Sequence, residues 1–335
     1  MSFTDLVKRM KKGPSEVTGI DFGYTATKIV RIHKSATGLV LTGAEIADPL
    51  TARGAFVVPP KLKARYASLA ISSASATAKL LTYPGAIDAG FDHNLAKSLG
   101  VESPTDSRLG YRVVAEGVGR QESRVLAVAI PVGDADPVME RFATGIPAPC
   151  SLELAPLAAL TAFEAGPVSN TNSPTCGLVD FGTQASSLAI FHKRSLVLLR
   201  RIDFGSRKLI DRVTSTLHID EDTALNILSD NAFDISELLT DIMSPLVSQL
   251  IVSRDFVERR ENCSLRQLHC IGGLTTSPSA MHELEHALNI DIKIFDPFSI
   301  PTLQNAIPDA PSDPLLNWRF AAAVGAALGT LQEEP

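Results

Sequence analysis

A sixteen-residue stretch occurs twice in this chain, first from Gly19 to Lys34 and again from Leu178 to Lys193, and the copies align without a gap. The identical pairs are Asp21/Asp180, Phe22/Phe181, Gly23/Gly182, Ala26/Ala185, His33/His192 and Lys34/Lys193. Each copy predicts an apolar strand, a tight turn opened by Asp-x-Gly, and a second strand that ends at a basic turn. An internal repeat of this length predicts two halves with similar folds.

The turn in each copy has the composition of an anion-binding site. Gly23 and Gly182 let the backbone approach a ligand closely, and the amides and hydroxyls that follow are donors for phosphate oxygens. Asp21 and Asp180 precede the turns, where a carboxylate is suited to bind Mg2+ or its waters. The alternative, that the two Asp-x-Gly turns only close structural hairpins, stays open, although the matched pair favours a polyphosphate held between them.

Size and composition limit the functional classes. With 335 residues, the chain is long enough for two domains or one bilobal fold. A net charge of -6 and a pI near 5.7 argue against a surface devoted to nucleic acid. No run of apolar residues reaches the length needed to cross a bilayer. The four cysteines lack metal-ligand spacing and predict reduced core thiols in a cytosolic protein.

The first fourteen residues, 1–14, predict a short basic amphipathic helix. Phe3, Leu6, Val7 and Met10 share one helical face, and four basic residues surround them before Gly13-Pro14 ends the pattern. Such a segment is suited to rest on an anionic membrane surface. Docking on the protein itself and simple fraying are the open alternatives.

The order of predicted elements divides the rest of the chain into two lobes. A third strand follows each copy of the repeat, at Gly38 to Ile46 and at Ser195 to Ile202, and Ser151 to Ala165 predicts a connecting helix with Ser151 as its N-cap. A long helix is expected from Ser244 to Glu261. The predicted units are a first lobe at 15–67 and 149–175, a small α/β insert at 68–148, a second lobe at 176–315, and a C-terminal helix at 316–335 that returns to the first lobe.

Four motifs in this order resemble those of the actin-like ATPase superfamily. Gly19 to Gly23 with Lys28 resembles its first phosphate loop, Val179 to Gly182 with Ser186 resembles the second, and Cys270 to Gly273 resembles its nucleoside-contacting Gly-Gly turn. Phe320 to Gly329 resembles its small-residue terminal helix. Within the superfamily, the basic N-terminus and the insert are similar in layout to the PilM proteins of type IV pilus assembly. The resemblance implies an actin-like (ribonuclease H-like) duplicated bilobal α/β fold.

The resemblance also implies a site for ATP and Mg2+ in the cleft between the lobes. The residues that it assigns to the nucleotide are Gly23, Tyr24, Thr25, Thr27, Lys28, Gly182, Thr183, Gln184, Ser186, Gly272, Gly273 and Leu274. It assigns Asp21 and Asp180 to the metal, directly or through water. Glu153 is the candidate to polarise an attacking water, and a helix N-terminal carboxylate without that duty is the alternative. Tyr24, Gln184 and Leu274 differ from the residues that the family usually has there.

The function implied by the resemblance is an ATP-binding scaffold, with weak ATPase activity left open, on the inner-membrane platform of a type IV pilus or a related type II secretion system. Its expected partner is the N-terminal cytoplasmic peptide of a bitopic, PilN-like membrane protein, bound in a groove beside the insert. Peripheral membrane contact and self-association are further expectations, and nucleic acid is not an expected partner. A small-molecule kinase, an FtsA-like cell-division protein and a degenerate scaffold without nucleotide are the alternatives.

Overall fold

The structure, a computed structural model, describes residues 13–50, 54–87, 89–117, 122–142, 145–169, 174–230, 233–307 and 314–332. The predicted amphipathic helix of the N-terminus therefore lies outside the described residues. None of the helices within these ranges is long and apolar enough to span a bilayer.

The described residues form a mixed α/β structure. The strands are β1 (Glu16–Phe22), β2 (Thr27–Ser35), β3 (Gly38–Ala47), β4 (Tyr66–Ile71), β5 (Thr77–Pro84), β6 (Ser107–Ala115), β7 (Glu122–Pro131), β8 (Ala148–Leu154), β9 (Thr175–Phe181), β10 (Ser186–His192), β11 (Ser195–Ile202), β12 (Gln267–Gly272), β13 (Asp291–Ile294) and β14 (Leu303–Asn305). The α-helices are α1 (Ala89–Leu99), α2 (Val132–Met139), α3 (Ala155–Phe163), α4 (Ser206–Leu217), α5 (Glu221–Ser229), α6 (Ser236–Glu261), α7 (Pro278–Leu288) and α8 (Ala321–Gln332).

The sequence repeat produces two sheets with the same strand order. In the first lobe the order is β3-β2-β1-β4-β8, and in the second it is β11-β10-β9-β12-β13. In both sheets the first three strands form an antiparallel meander, and the next two run parallel to its first strand. The short β14, which follows the second sheet in sequence, pairs in parallel with β3 at the edge of the first.

Helices α3 and α8 join the lobes through a close contact between small residues. A Cβ atom added at Gly325 of α8 would lie 2.5 Å from the carbonyl carbon of Ala158 in α3, so only glycine allows this approach. Nearly all of α8 is buried. The core cluster around it includes Val17 and Val30 from the first sheet and Leu178 and Phe191 from the second, so one apolar core is continuous between the lobes.

A third sheet, ordered β5-β7-β6, interrupts the first lobe between β4 and β8. Helix α1 covers one of its faces through Phe91, Leu95 and Leu99. Two arginines on this sheet form ion pairs with the rest of the molecule. Arg112 donates two hydrogen bonds to Glu164 at the end of α3, and Arg124 lies 3.3 Å from Glu261 at the end of α6.

Two predicted helix starts are wrong, and proline explains both. The predicted helix from Ser151 begins only at Ala155, because the alternating residues before it form β8, and Pro156 occupies the first turn, where a missing N–H costs nothing. Ser151 is therefore not an N-cap. The helix expected from Ser244 begins at Ser236 instead and continues through Pro245.

Candidate functional site

The first Asp-x-Gly turn holds a buried ion pair. Asp21 at the end of β1 is opposite Lys28 of β2, and Lys28 Nζ lies 3.3 Å from Asp21 Oδ2. The other carboxylate oxygen, Asp21 Oδ1, is buried and has no hydrogen-bond partner among the described residues. Burial raises the pKa of Asp21, and the positive charge of Lys28 opposes that rise. One oxygen of Asp21 is thus left for a cationic ligand.

The second turn places Asp180 where the charges of the first turn act on it. Burial raises the pKa of Asp180 to about 6, the negative charge of Asp21 adds to the rise, and Lys28 opposes it. Because such interactions weaken with distance, the ends of β1 and β9 lie near one another. The structure therefore brings together the two aspartates that the repeat singles out.

Gly23 and Gly182 hold the same position in their turns. A Cβ atom added at Gly23 would lie 2.9 Å from the carbonyl oxygen of Ala26, and one added at Gly182 would lie 2.6 Å from that of Ala185. Both distances are too short for a side chain, so each turn requires glycine for the close approach of its own backbone. The repeated sequence gives a repeated turn geometry.

Two of the four predicted threonine and serine ligands, Thr27 and Ser186, form hydrogen bonds within the protein. Thr27 Oγ1 donates to the carbonyl oxygen of Asp48 at 2.9 Å, and Ser186 Oγ donates to that of Phe204 at 2.6 Å. Both side chains are fully buried. In each lobe the hydroxyl ties the second strand of the meander to the segment that follows the third.

Helix α4 supports the second turn, a contact that the sequence did not predict. The backbone amides of Ser206 and Arg207 donate to the carbonyl oxygens of Gly182 and Thr183, both at 3.0 Å. A Cβ atom at the preceding Gly205 would lie 2.6 Å from the carbonyl carbon of Thr183. The signal was present in the sequence, since Gly205-Ser206 stands where a strand gives way to a helix.

The Gly-Gly turn after β12 lies next to the second turn. Gly272 is beside Phe181 in the parallel pair of β12 and β9 and has a φ of 95°, and a Cβ atom there would lie 2.6 Å from the carbonyl carbon of Phe181. A Cβ atom at Gly273 would lie 3.1 Å from Ser206 Oγ. Backbone from β9, β12 and α4 therefore converges at this point of the second lobe.

The other predicted contacts differ in exposure. Tyr24, Thr25 and Gln184 are exposed at the tips of the turns, and Thr183 is partly buried. Leu274 is 2% exposed and packs in the core of the second lobe, so its side chain faces away from the Gly-Gly turn.

Glu153 lies on β8 in the same row of the first sheet as Asp21. Ala70 of β4 pairs with Asp21 on one side and with Glu153 on the other, so the two carboxylates project from the same face. Both residues are near the C-terminal ends of parallel strands, the edge at which open α/β sheets bind ligands. A Cβ atom at Gly329 of α8 would lie 3.3 Å from Glu153 Oε1. Glu153 therefore lies in a strand and not at the N-terminus of a helix, as the alternative interpretation had it.

Among the described residues, no group of three or more His, Cys, Asp or Glu side chains is placed to hold a metal ion. Two aspartates with one unpartnered oxygen fit the incomplete ligand set typical of Mg2+, which keeps several waters and takes further oxygens from phosphates.

Comparison with known proteins identifies the fold. No protein-family model matches the sequence, and no curated protein is significantly similar to it. The structure is similar to one described as the PilM-PilN type IV pilus biogenesis complex, with a TM-score of 0.75 and 17% identity over 96% of this chain and 100% of that chain. Weaker matches include a Bacteroides thetaiotaomicron protein with an actin-like ATPase fold and unknown function, with a TM-score of 0.47 and 12% identity over 89% and 94% of the chains. An archaeal actin homolog matches with a TM-score of 0.44 and 12% identity over 94% and 98%.

The PilM-PilN match covers nearly all of both chains and agrees with the duplicated sheet order, which confirms the predicted actin-like fold. At 17% identity, the likeness concerns the fold.

Proposed function

We propose that this protein is an ATP-binding scaffold of the inner-membrane platform of a type IV pilus or a related secretion system. In this proposal, Mg2+ and the phosphates of ATP bind between the two Asp-x-Gly turns. The insert and the adjoining lobe surface bind the cytoplasmic tail of a bitopic, PilN-like membrane protein. Contact with that tail keeps the scaffold at the membrane.

The observation that carries the nucleotide site is the pairing of Asp21 and Asp180 across the cleft. Two turns with equivalent glycines, each following an aspartate, lie close enough for one carboxylate to raise the pKa of the other. Holding two carboxylates together and leaving Asp21 Oδ1 buried without a partner costs stability. A divalent cation offsets both costs, which explains why the fold retains this arrangement.

The described contacts suggest a role for each group at the site. The backbone of Gly23 and Thr25 in one turn and of Gly182 and Thr183 in the other would donate to phosphate oxygens. Lys28 would neutralise phosphate charge from its place beside Asp21. Gly272 and Gly273 leave room for the nucleoside beside the second turn.

The hydroxyl groups of Thr27 and Ser186 each donate a hydrogen bond to a backbone carbonyl oxygen. We assign them the role of holding the turns in shape.

The magnesium ion would supply charge neutralisation at the phosphates, with Asp21 and Asp180 as its protein ligands. Glu153, on the same face of the sheet as Asp21, is the side chain suited to orient a water if ATP is hydrolysed.

The partner assignment draws on two observations. The matched PilM structure is described as a complex with PilN, and its fold is similar to this one over the whole chain. The insert here is a three-stranded sheet whose junction with the body combines apolar contacts with the ion pair of Arg112 and Glu164, and in this proposal the peptide lies along that junction.

A thermal-shift titration with ATP and Mg2+ tests the nucleotide site, with wild type, Asp21→Ala and Gly182→Arg compared. We expect the midpoint of unfolding to rise with ligand concentration in wild type only, because a ligand that binds the folded state stabilises it by mass action. Equal responses of all three proteins would show that the site lies elsewhere. The absence of any response would favour a scaffold without nucleotide.

Pull-down with synthetic N-terminal tails of bitopic membrane proteins encoded beside this chain tests the scaffold role. Retention of one tail, and loss of retention when the same residues are scrambled, is the expected result. If no such tail binds with or without ATP, the partner assignment is wrong even if the nucleotide site is right.

A further inference from the structure

An open cavity of about 190 Å3 lies between the insert and the second lobe. It is lined on the insert side by Leu80 of β5 and on the lobe side by Val197, Leu198 and Leu199 of β11. Both strands are edge strands of their sheets. The cavity is large enough for one or two side chains of a bound polypeptide, and its wall combines the apolar side chains of Leu80 and Phe256 with polar groups.

Two arginines give the mouth of this cavity an excess of positive charge. Arg124 of the insert and Arg260 of α6 both line it, and both point at the same carboxylate oxygen. Arg124 Nη2 lies 3.3 Å from Glu261 Oε1, and Arg260 Nε lies 3.2 Å from it. One carboxylate thus faces two guanidinium groups. Because the chain as a whole carries a net charge of -6, this positive site stands out from its average surface.

An exposed apolar strip on α6 extends the cavity wall towards solvent. Phe256 lines the cavity and is 49% exposed, and Val252 one turn earlier is 57% exposed. Arg260 lies over the ring of Phe256, with its guanidinium carbon 5.7 Å from the ring centroid. Apolar contact area and cationic groups are therefore side by side.

We propose that this cavity is a second protein-binding site, specific for a partner segment that carries an acidic side chain next to an apolar one. The apolar side chain enters between Leu80 and Leu198 and packs on Phe256. The neighbouring carboxylate accepts hydrogen bonds from Arg124 and Arg260, whose planar groups match a carboxylate well. Partial desolvation by the ring of Phe256, over which Arg260 lies, strengthens that contact.

The chemistry separates this site from the nucleotide site. The proposed phosphate turns lie at the ends of β1 and β9, and the cavity lies beside β5, β11 and the end of α6. The residues that line it include no glycine, so it lacks the kind of turn that lets a backbone approach phosphate closely. Binding at the cavity therefore does not require a filled nucleotide site.

Fluorescence anisotropy with a labelled, acetylated (Leu-Glu)3 peptide tests this proposal, with (Leu-Gln)3 as the uncharged probe of equal shape. We expect the glutamate peptide to bind wild type at least about tenfold more tightly than the glutamine peptide and to weaken as salt rises. Arg124→Gln and Arg260→Gln should each weaken binding of the glutamate peptide by about tenfold. Phe256→Ser should weaken both peptides.

Arg212→Gln is the matched control, since it makes the same charge change on α4 and pairs with Asp241 near the other end of α6. Its binding of the glutamate peptide should equal that of wild type. Asp21→Ala should also bind normally, which separates this site from the nucleotide site.

Arg260 is largely exposed, so Arg260→Gln folds even if Arg124→Gln does not. Failure of wild type to bind the glutamate peptide, equal binding of both peptides, or equal losses in Arg212→Gln and Arg260→Gln would overturn the proposal.

Discussion

Asp21 and Asp180 end equivalent strands of the two lobes, and the negative charge of Asp21 contributes to raising the pKa of Asp180 to about 6. The repeat thus brings two like charges to one cleft, with Lys28 as the cation beside them. The free-energy cost of bringing these two carboxylates together can be measured.

The raised pKa of Asp180 makes stability depend on pH. An acid whose pKa is higher in the folded than in the unfolded state stabilises the fold below its ordinary value of 3.8, and that contribution disappears as pH rises through about 6. Above pH 6 and without metal, Asp180→Asn should therefore be more stable than wild type. We expect its free energy of unfolding, measured by urea titration, to be higher by about 1–3 kcal/mol. The two proteins should converge near pH 4. An equal difference at both pH values would contradict the assigned cause.

Removing the positive charge of Lys28 from the buried ion pair should lower the stability of the protein. Lys28→Met leaves the carboxylate of Asp21 buried without its partner, and we expect the free energy of unfolding at neutral pH to fall by about 3 kcal/mol. The double variant Lys28→Met with Asp21→Asn should recover most of that loss, because the carboxylate that Lys28 neutralised is gone and Asp180 no longer has a like charge beside it. Lys208→Met removes a similar but exposed pair with Asp203 and should cost less than about 1 kcal/mol in the same urea titration.

The hydrogen bonds of Thr27 and Ser186 should contribute equally to the free energy of unfolding. Thr27→Val and Ser186→Ala each remove a buried hydrogen bond to a backbone carbonyl, and each should lower the free energy of unfolding by about 1–2 kcal/mol. The two losses should add in the double variant, because the contacts lie in different lobes. Thr25→Val, an exposed position in the same turn, is the control and should leave stability unchanged. A large loss in only one lobe would refute the structural equivalence of the two turns.

The contact between α3 and α8 should not tolerate a methyl group. Gly325→Ala places Cβ against the backbone of Ala158, and the overpacking should destabilise the protein by about 1–3 kcal/mol in thermal or urea unfolding. Gly133→Ala adds the same atom where nothing lies within 4 Å and should be neutral. Equal stabilities of the two variants would show that α3 and α8 are not packed as closely as described.

The sequence repeat predicted two similarly folded halves, and the resemblance to the actin-like superfamily implied which fold they form. Each Asp-x-Gly turn lies between two apolar strands, and the whole sixteen-residue stretch occurs twice without a gap. The rule that places proline in the first turn of a helix gave the wrong start for α6. Pro245 resembles a helix start because proline is favoured in the first turn, yet here tertiary packing carries α6 through it.

The direction of individual side chains could not be predicted from the sequence. Ser186 follows the second turn as a phosphate ligand would, but its hydroxyl bonds Phe204, which only the folded meander brings near. Leu274 follows the Gly-Gly turn, yet it completes the core of the second lobe. The cavity beside Arg124 and Arg260 joins residues more than a hundred positions apart, so no local pattern predicts it.

Isothermal titration calorimetry with ATP and Mg2+ tests most directly whether the two turns form one polyphosphate site. We predict one site per wild-type chain and no measurable binding by Gly182→Arg, whose side chain would fill the second turn. Gly133→Arg, placed in open space, should bind as wild type does. Binding of ATP by Gly182→Arg with unchanged affinity would contradict this account.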